Sequence, residues 1–301
     1  MNTPTRRQIL GSAALVAVPS FAFAAPEKAA LKGNIKHSVC AWCFTARGEK
    51  WSLDKTCEIT KSLGLTSVEL IGIEDFPTLK KHGLTCAIAS NGMGFKPGFN
   101  NLRHRDELVA KTKAAIDASA EAKVPSVIGF IGMKWNKPDD DKSGAISTDD
   151  AFKNCVEGLK LVVGHAEKAG INLCIEHLNS RDGSDPMRGH PGYQGDDLDW
   201  VVSIIKKVGS PRLKLLFDIY HVQIMHGDLL RRIDENKDVI GHIHTAGNPG
   251  RGELDETQEI HYPAVMKKLL EVKYTGYVGH EFIPTRDPLA GLKQAIAVCD
   301  A

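Results

Sequence analysis

Eight short apolar runs recur along the chain, at residues 36–44, 67–71, 84–90, 126–131, 171–178, 213–220, 240–245 and 277–282, and amphipathic stretches follow most of them. Runs this short and this rich in Val, Ile and Leu read as buried strands, and strands alternating with helical patterns argue for βα units on a parallel sheet. Residues 105–122 place Leu108, Val109, Thr112, Ala115 and Ile116 at helical spacing, with Ser119 continuing the same face. Residues 150–169 repeat the pattern with Phe152, Val156, Leu159, Val162 and Val163, and Gly170 supplies a helix stop before the fifth run. Strand then helix repeated eight times predicts an α/β fold, a (β/α)8 TIM barrel, with a last helix at 288–298 returning the chain to the first strand. An open doubly wound sheet is the alternative, but no glycine-rich dinucleotide fingerprint follows the first run.

The first residues read differently. Thr5, Arg6 and Arg7 precede an apolar stretch from Ile9 to Ala25, and Ala22-Phe23-Ala24 offers a small-residue cleavage site. That pattern predicts a twin-arginine export signal over residues 1–24, a barrel domain over 25–301, and a periplasmic or exported location. No other stretch approaches the ~20 apolar residues of a membrane span, so no membrane attachment is expected after cleavage. About 275 residues then remain, close to the ~250 of an eight-stave barrel. Lys and Arg total 38 against 37 Asp and Glu, and the leader holds Arg6 and Arg7 but no acid. A charge so balanced gives no footing for nucleic acid. Seven cysteines scattered through the runs and helices make no disulfide framework. Cys40 and Cys43, the one close pair, read as buried thiols inside the first strand.

Glu176, Asp218, His244 and Glu281 each sit near the C-terminal end of one of the last four runs. Ionisable side chains rarely enter such cores unpaired, and each alone reads as a satisfied core residue. Four at corresponding depth in successive strands are explained together by one divalent cation, whose charge offsets the clustering of three carboxylates. Oxygen donors with one imidazole favour Mn²⁺, Mg²⁺ or Co²⁺, with Zn²⁺ admissible. Glu176 and Glu281 come from strands well apart, so their carboxylates are expected to flank a small-molecule substrate, a sugar or a hydroxy-keto acid. A metal holding an α-hydroxycarbonyl through both oxygens stabilises an enediolate, and a glutamate can remove the carbon-bound proton and return it. Return to the neighbouring carbon is aldose/ketose isomerisation; return to the same carbon from the other face is epimerisation.

His221, three residues past Asp218 and placed on the loop leaving the sixth strand, is a candidate hydrogen-bond donor to the substrate. Arg251, in the glycine-rich stretch 247–253, is a candidate fork for a substrate carboxylate. Trp42 and Phe44, at the end of the first run, are candidates for an apolar wall. His242 reads as a core histidine behind the ligands. Two polar segments, 134–147 and 179–197, follow the fourth and fifth strands and are expected to be loops over the catalytic rim.

The motifs IEHLNSRD (175–182), DIYHVQ (218–223), GHIHTAG (241–247), YP (262–263) and GHEF (279–282) resemble the xylose isomerase-like barrel superfamily, and within it the hydroxypyruvate isomerase family. The resemblance is densest from Cys174 to Pro284 and continues more weakly through the N-terminal half. It implies a TIM barrel, a divalent metal at Glu176, Asp218, His244 and Glu281, and paired acid/base roles for Glu176 and Glu281. Hydroxypyruvate isomerases resembling this chain generally carry Gln at the third metal position, whereas ketose 3-epimerases of the superfamily carry His, as His244 does. The expected function is therefore a metal-dependent isomerase of the hydroxypyruvate isomerase type, with a ketose 3-epimerase as the alternative. An exported sugar-binding protein is the non-enzymatic alternative, and a homo-oligomer is compatible with all three. An abasic-site endonuclease would need more histidine ligands and a basic face.

Overall fold

Parallel pairing dominates the computed structural model, which describes residues 31–46 and 49–301; the predicted export signal lies outside these. The strands are β1 (Lys36–Cys40), β2 (Val68–Glu69), β3 (Ser126–Phe130), β4 (Trp135–Lys137), β5 (Asp140–Ala145), β6 (Asn172–Glu176), β7 (Leu213–Asp218), β8 (Ile240–Thr245) and β9 (Tyr277–His280). Seven of them form one sheet in the order β2-β1-β9-β8-β7-β6-β3, every neighbour parallel. The gap between β2 and β3 is closed by residues 84–90. Val68 N and Leu70 N donate to Thr85 O (3.1 Å) and Ile88 O (2.9 Å), while Ala89 N donates to Ser126 O and Ile128 N to Ala89 O, both at 2.9 Å. Those bonds supply the eighth stave of a TIM barrel, although this run makes isolated bridges rather than a regular strand.

The helices lie outside the ring: α1 (Ala41–Ala46), α2 (Leu53–Ser62), α3 (Phe76–His82), α4 (Arg105–Ala122), α5 (Thr148–Ala169), α6 (Leu198–Val208), α7 (Ile219–Met225), α8 (Leu229–Asn236), α9 (Tyr262–Glu271) and α10 (Pro288–Cys299). Their ends follow local chemistry. Ser147 Oγ accepts from Asp150 N to start α5, and Gly170 at φ 73° ends it, a left-handed position that only glycine adopts without cost. The register pairs Phe130 with Glu176, Glu176 with Leu216, Asp218 with His244 and His244 with Gly279, so these residues share the inner face of the barrel. The alternate residues, among them Val127, Leu173 and Val278, are fully buried under the helices. None of the described helices is long and apolar enough to cross a membrane.

Three expectations about the chain path are corrected. The first run does not continue as strand to Phe44: β1 stops at Cys40 and α1 follows, so Cys43 lies on a helical turn. The turn carries the Trp42 indole to Glu281 and stacks Phe44 on Trp51 (5.0 Å), with Phe282 edge-on at 5.5 Å. Segment 134–147 is not an irregular loop but contains the antiparallel hairpin β4–β5, tied down by Asn101 Nδ2 to Trp135 O and Asn136 O. His221 is not on a loop either; it is buried in the first turn of α7.

Candidate metal centre

The four ligand candidates do converge. One donor atom each from Glu176, Asp218, His244 and Glu281 falls within 4.8 Å of the others, and all four residues are buried. Each is carried to the mouth by its strand: Glu176, Asp218 and His244 end or nearly end β6, β7 and β8, and Glu281 is one residue past β9. Asp218 also starts α7, where its Oδ1 accepts from Tyr220 N (2.8 Å) and His221 N (3.2 Å). That capping use leaves Oδ2 free.

Glu176 Oε1, Asp218 Oδ2, His244 Nδ1 and Glu281 Oε2 are all buried with no hydrogen-bond partner among the described residues. His244 Nδ1 stands 2.9 Å from Glu281 Oε2 and 3.7 Å from Glu176 Oε1, close enough to interact but not directed as hydrogen bonds. Buried polar atoms are rarely left so, and four of them facing one another match the donor set that a divalent, oxygen-preferring cation would take. The residues present therefore fit the metal that the sequence pattern implies.

The charges are balanced by Arg251. Its Nη2 lies 2.8 Å from Glu281 Oε2 and 3.8 Å from Asp218 Oδ2, and its guanidinium sits 5.3 Å from the Trp42 ring and 5.8 Å from the Tyr220 ring. Arg251, the candidate fork for a substrate carboxylate, lines the cavity and is ion-paired with Glu281. Burial would raise Glu281, yet Arg251 and His244 hold its carboxyl well below the usual carboxylate range. Burial, reinforced by the charge of Glu281, pushes Asp218 up to about 8, and burial raises Glu176 as well. Burial would lower His244, but Glu281 and its other neighbours raise it well above an ordinary imidazole. A cation entering at Nδ1 must displace that proton.

A cavity of about 700 Å³ opens above the cluster. Of the four candidates only Glu176 and Glu281 line it; Asp218 and His244 lie beneath. Trp42, Leu70, Phe95, Ile128, Phe130 and Leu178 form its apolar wall, and Gly183, Arg188 and His190 of the loop after β6 reach its rim. Trp42 meets its expected role as wall and also donates Nε1–H to Glu281 Oε1 at 2.9 Å. His221 Nδ1 accepts from Asn179 N (3.2 Å) and Asn179 Nδ2 (2.7 Å), which places the ring proton on Nε2, 3.6 Å from Asp218 Oδ2. Burial, then the nearby Arg251 charge, lowers His221 well below its ordinary value and keeps it neutral.

Sequence reasoning missed Glu69, a fully buried carboxylate whose Oε1 lies 2.8 Å from His244 Nε2 and 3.0 Å from His242 Nε2. An acid inside the apolar run at 67–71 was the available signal. His242 bonds Glu69 and stays behind the ligands, as its sequence position suggested.

The profile of the xylose isomerase-like TIM barrel family matches residues 57–301. The chain belongs to that family. Within it, a 2-oxo-tetronate isomerase of Cupriavidus necator is 31% identical over 180 residues, covering 58% of this chain and 66% of the relative. The hydroxypyruvate isomerase of Escherichia coli is 34% identical over 147 residues, covering 49% of this chain and 54% of the relative. The chain thus matches between half and two thirds of the length of these relatives. A crystal structure of an AP endonuclease, family 2, from Brucella melitensis superposes with a TM-score of 0.73 at 22% identity, covering 86% of this chain and 97% of that one, a likeness of the barrel alone.

Proposed function

We propose that this chain is a divalent-metal-dependent isomerase of α-hydroxycarbonyl compounds, acting by proton transfer at carbon. Glu176, Asp218, His244 and Glu281 would hold Mn²⁺, Mg²⁺ or Co²⁺. A cation held by these residues would supply electrophilic polarisation of a substrate carbonyl and stabilise the negative charge that develops when a neighbouring carbon loses its proton. One observation carries the reading: the cluster of four unpartnered donor atoms closes the bottom of the cavity, and only its two glutamates border the space a substrate would occupy.

Those two glutamates differ in a useful way. Burial raises the proton affinity of Glu176, while Arg251 and His244 depress that of Glu281. Carboxylates with divided affinities suit opposite ends of one proton transfer. Glu281 Oε1 accepts a hydrogen bond from Trp42 Nε1, and Arg251 Nη2 stands 2.8 Å from Oε2 as an ion-pair partner; together they hold its orientation. His221 is fully buried and is not among the residues lining the cavity; its neutral Nε2–H lies 3.6 Å from Asp218 Oδ2. Arg251 Nη2 stands against Glu281 while its Nε has no hydrogen-bond partner among the described residues, so a substrate carboxylate would share the guanidinium with Glu281. The relatives named as 2-oxo-tetronate and hydroxypyruvate isomerases support isomerase chemistry.

A second reading rests on size. A cavity of about 700 Å³ lies within the ~300–1,000 Å³ that accommodates drug-sized ligands and exceeds what a three-carbon acid fills. That favours a sugar-sized substrate, for which 3-epimerisation is the competing outcome. Turnover in deuterated water separates the possibilities by NMR. Deuterium on the carbon next to the one that lost its proton marks isomerisation, and deuterium on the same carbon marks epimerisation. Ligand binding with no carbon-bound exchange, in protein loaded with Mn²⁺ or Mg²⁺, would leave a sugar-binding protein. Export through the residues 1–24 leader remains part of the proposal, to be read from the mature N-terminus in a periplasmic fraction by mass spectrometry.

A further inference from the structure

We propose that Glu69 is a positioning residue that presents His244 Nδ1 to the cation. The inference rests on reading the four-residue cluster as a cation site, and it concerns a side chain on the opposite half of the barrel. β2 is two residues long and separated from β8 by β1 and β9. Yet the Glu69 carboxylate crosses the inside of the ring, where Oε1 meets His244 Nε2 at 2.8 Å, His242 Nε2 at 3.0 Å and the Cys40 thiol at 3.2 Å.

Two facts show that this contact is built into the fold. A carboxylate with no solvent exposure needs compensating donors, and Glu69 Oε1 has two imidazoles and a thiol, while Oε2 has no hydrogen-bond partner among the described residues. The crossing also needs room. A Cβ on Gly279 of β9 would stand 2.1 Å from Glu69 Oε1 and 2.9 Å from His244 Cδ2, so the absence of a side chain at 279 lets the carboxylate reach its partner.

The consequence follows from the ring. A carboxylate oxygen can only accept, so the His244 nitrogen facing it carries the proton. The lone pair available for a metal is then on Nδ1, the atom that points at Glu176 and Glu281 without a directed hydrogen bond. Carboxylate support of a ligating imidazole fixes ring orientation and raises ligand basicity, and its loss typically costs roughly 10–100-fold in metal affinity. Trp42 and Arg251 hold the orientation of Glu281, lowering rather than raising its basicity, and Glu69 is the carboxylate that orients the histidine.

The test uses the whole protein and Mn²⁺ alone. Free Mn²⁺ measured by electron paramagnetic resonance should give a dissociation constant roughly 10–100-fold weaker in Glu69→Gln than in the unaltered chain, with Glu69→Asp between them. In ¹⁵N-labelled unaltered protein, with and without Mg²⁺, His244 should show a proton on Nε2. Equal Mn²⁺ affinity in Glu69→Gln overturns the inference, as does a His244 whose only proton is on Nδ1. The NMR arm decides the matter even if the Gln variant does not fold. An unaltered chain that shows the Nε2 proton but binds no Mn²⁺ overturns the metal reading and this role with it; binding without sensitivity to Glu69 overturns only the latter.

Discussion

The two halves of the barrel are built to different standards. From β6 to β9 the strands run four to six residues, each pairs with the next over at least three residue pairs, with one register shift at Leu215/Leu216, and each or the residue just after it delivers one member of the cluster. From β1 to β3 the ring is ragged: β1 stops at Cys40, β2 has two residues, and the stave at 84–90 makes only isolated bridges. The regular half holds four donor atoms within 4.8 Å, a tolerance that calls for backbones held by neighbouring strands. The ragged half supplies most of the apolar part of the cavity wall, through Trp42, Leu70, Phe95, Ile128 and Phe130. A wall only has to exclude water and match a shape, so broken strands suffice. On this division, the cluster is built on one half and most of the apolar wall on the other.

The largest effect should come from the regular half. Glu281→Gln keeps the shape of the side chain and removes its charge, and turnover should fall by about 10²–10⁴-fold, the range for a lost acid/base group. Substrate affinity, measured by calorimetry in metal-loaded protein, should stay within about tenfold. Full activity in this variant would take Glu281 out of the proton path. A smaller effect, of a different kind, is expected from the ragged half. Phe95 is half-buried and lines the cavity, so Phe95→Ala should spare the fold, raise KM for a sugar-sized substrate by roughly 1 kcal/mol and leave kcat nearly unchanged. If Phe95→Ala lowered kcat as Glu281→Gln does, the division between the halves would fail.

The same division explains what was legible in the sequence. In the regular half a buried acid or histidine at the end of an apolar run has one direction to point, so Glu176, Asp218, His244 and Glu281 could be placed together from spacing alone. The ragged half hides its geometry. Ala41-Trp42-Cys43-Phe44 is equally apolar as strand or helix, and only packing on Trp51 and Phe282 decides for the helix. The hairpin at 135–145 is polar on both faces and carries no period-two signal. Glu69 stood in plain view, but its partner is 175 residues away, and nothing local says that Gly279 clears its path. Arg251 could be placed over the site from its glycine-rich stretch, whereas its commitment to Glu281 depended on the folded charge balance.

The smallest predicted effect concerns the place where the halves meet. His190, on the loop after β6, packs its ring 4.5 Å from Phe95 of the ragged half and 5.7 Å from His221 of the regular half. Burial, with Arg251 adding to it, lowers His190 from 6.5 to about 4. Between those values the unfolded chain takes up a proton that the folded chain refuses, so unfolding is linked to proton uptake. The stabilising contribution is complete above pH 6.5 and is lost as the pH falls from 6.5 through 4. Chemical denaturation at a series of pH values should therefore show His190→Gln with a shallower fall in stability across that window, by up to about 1.4 kcal/mol per pH unit. The effect should vanish above pH 7, where the imidazole is neutral in both states. An unchanged slope would mean that His190 stays solvated, and that the loop from the regular half does not close onto Phe95.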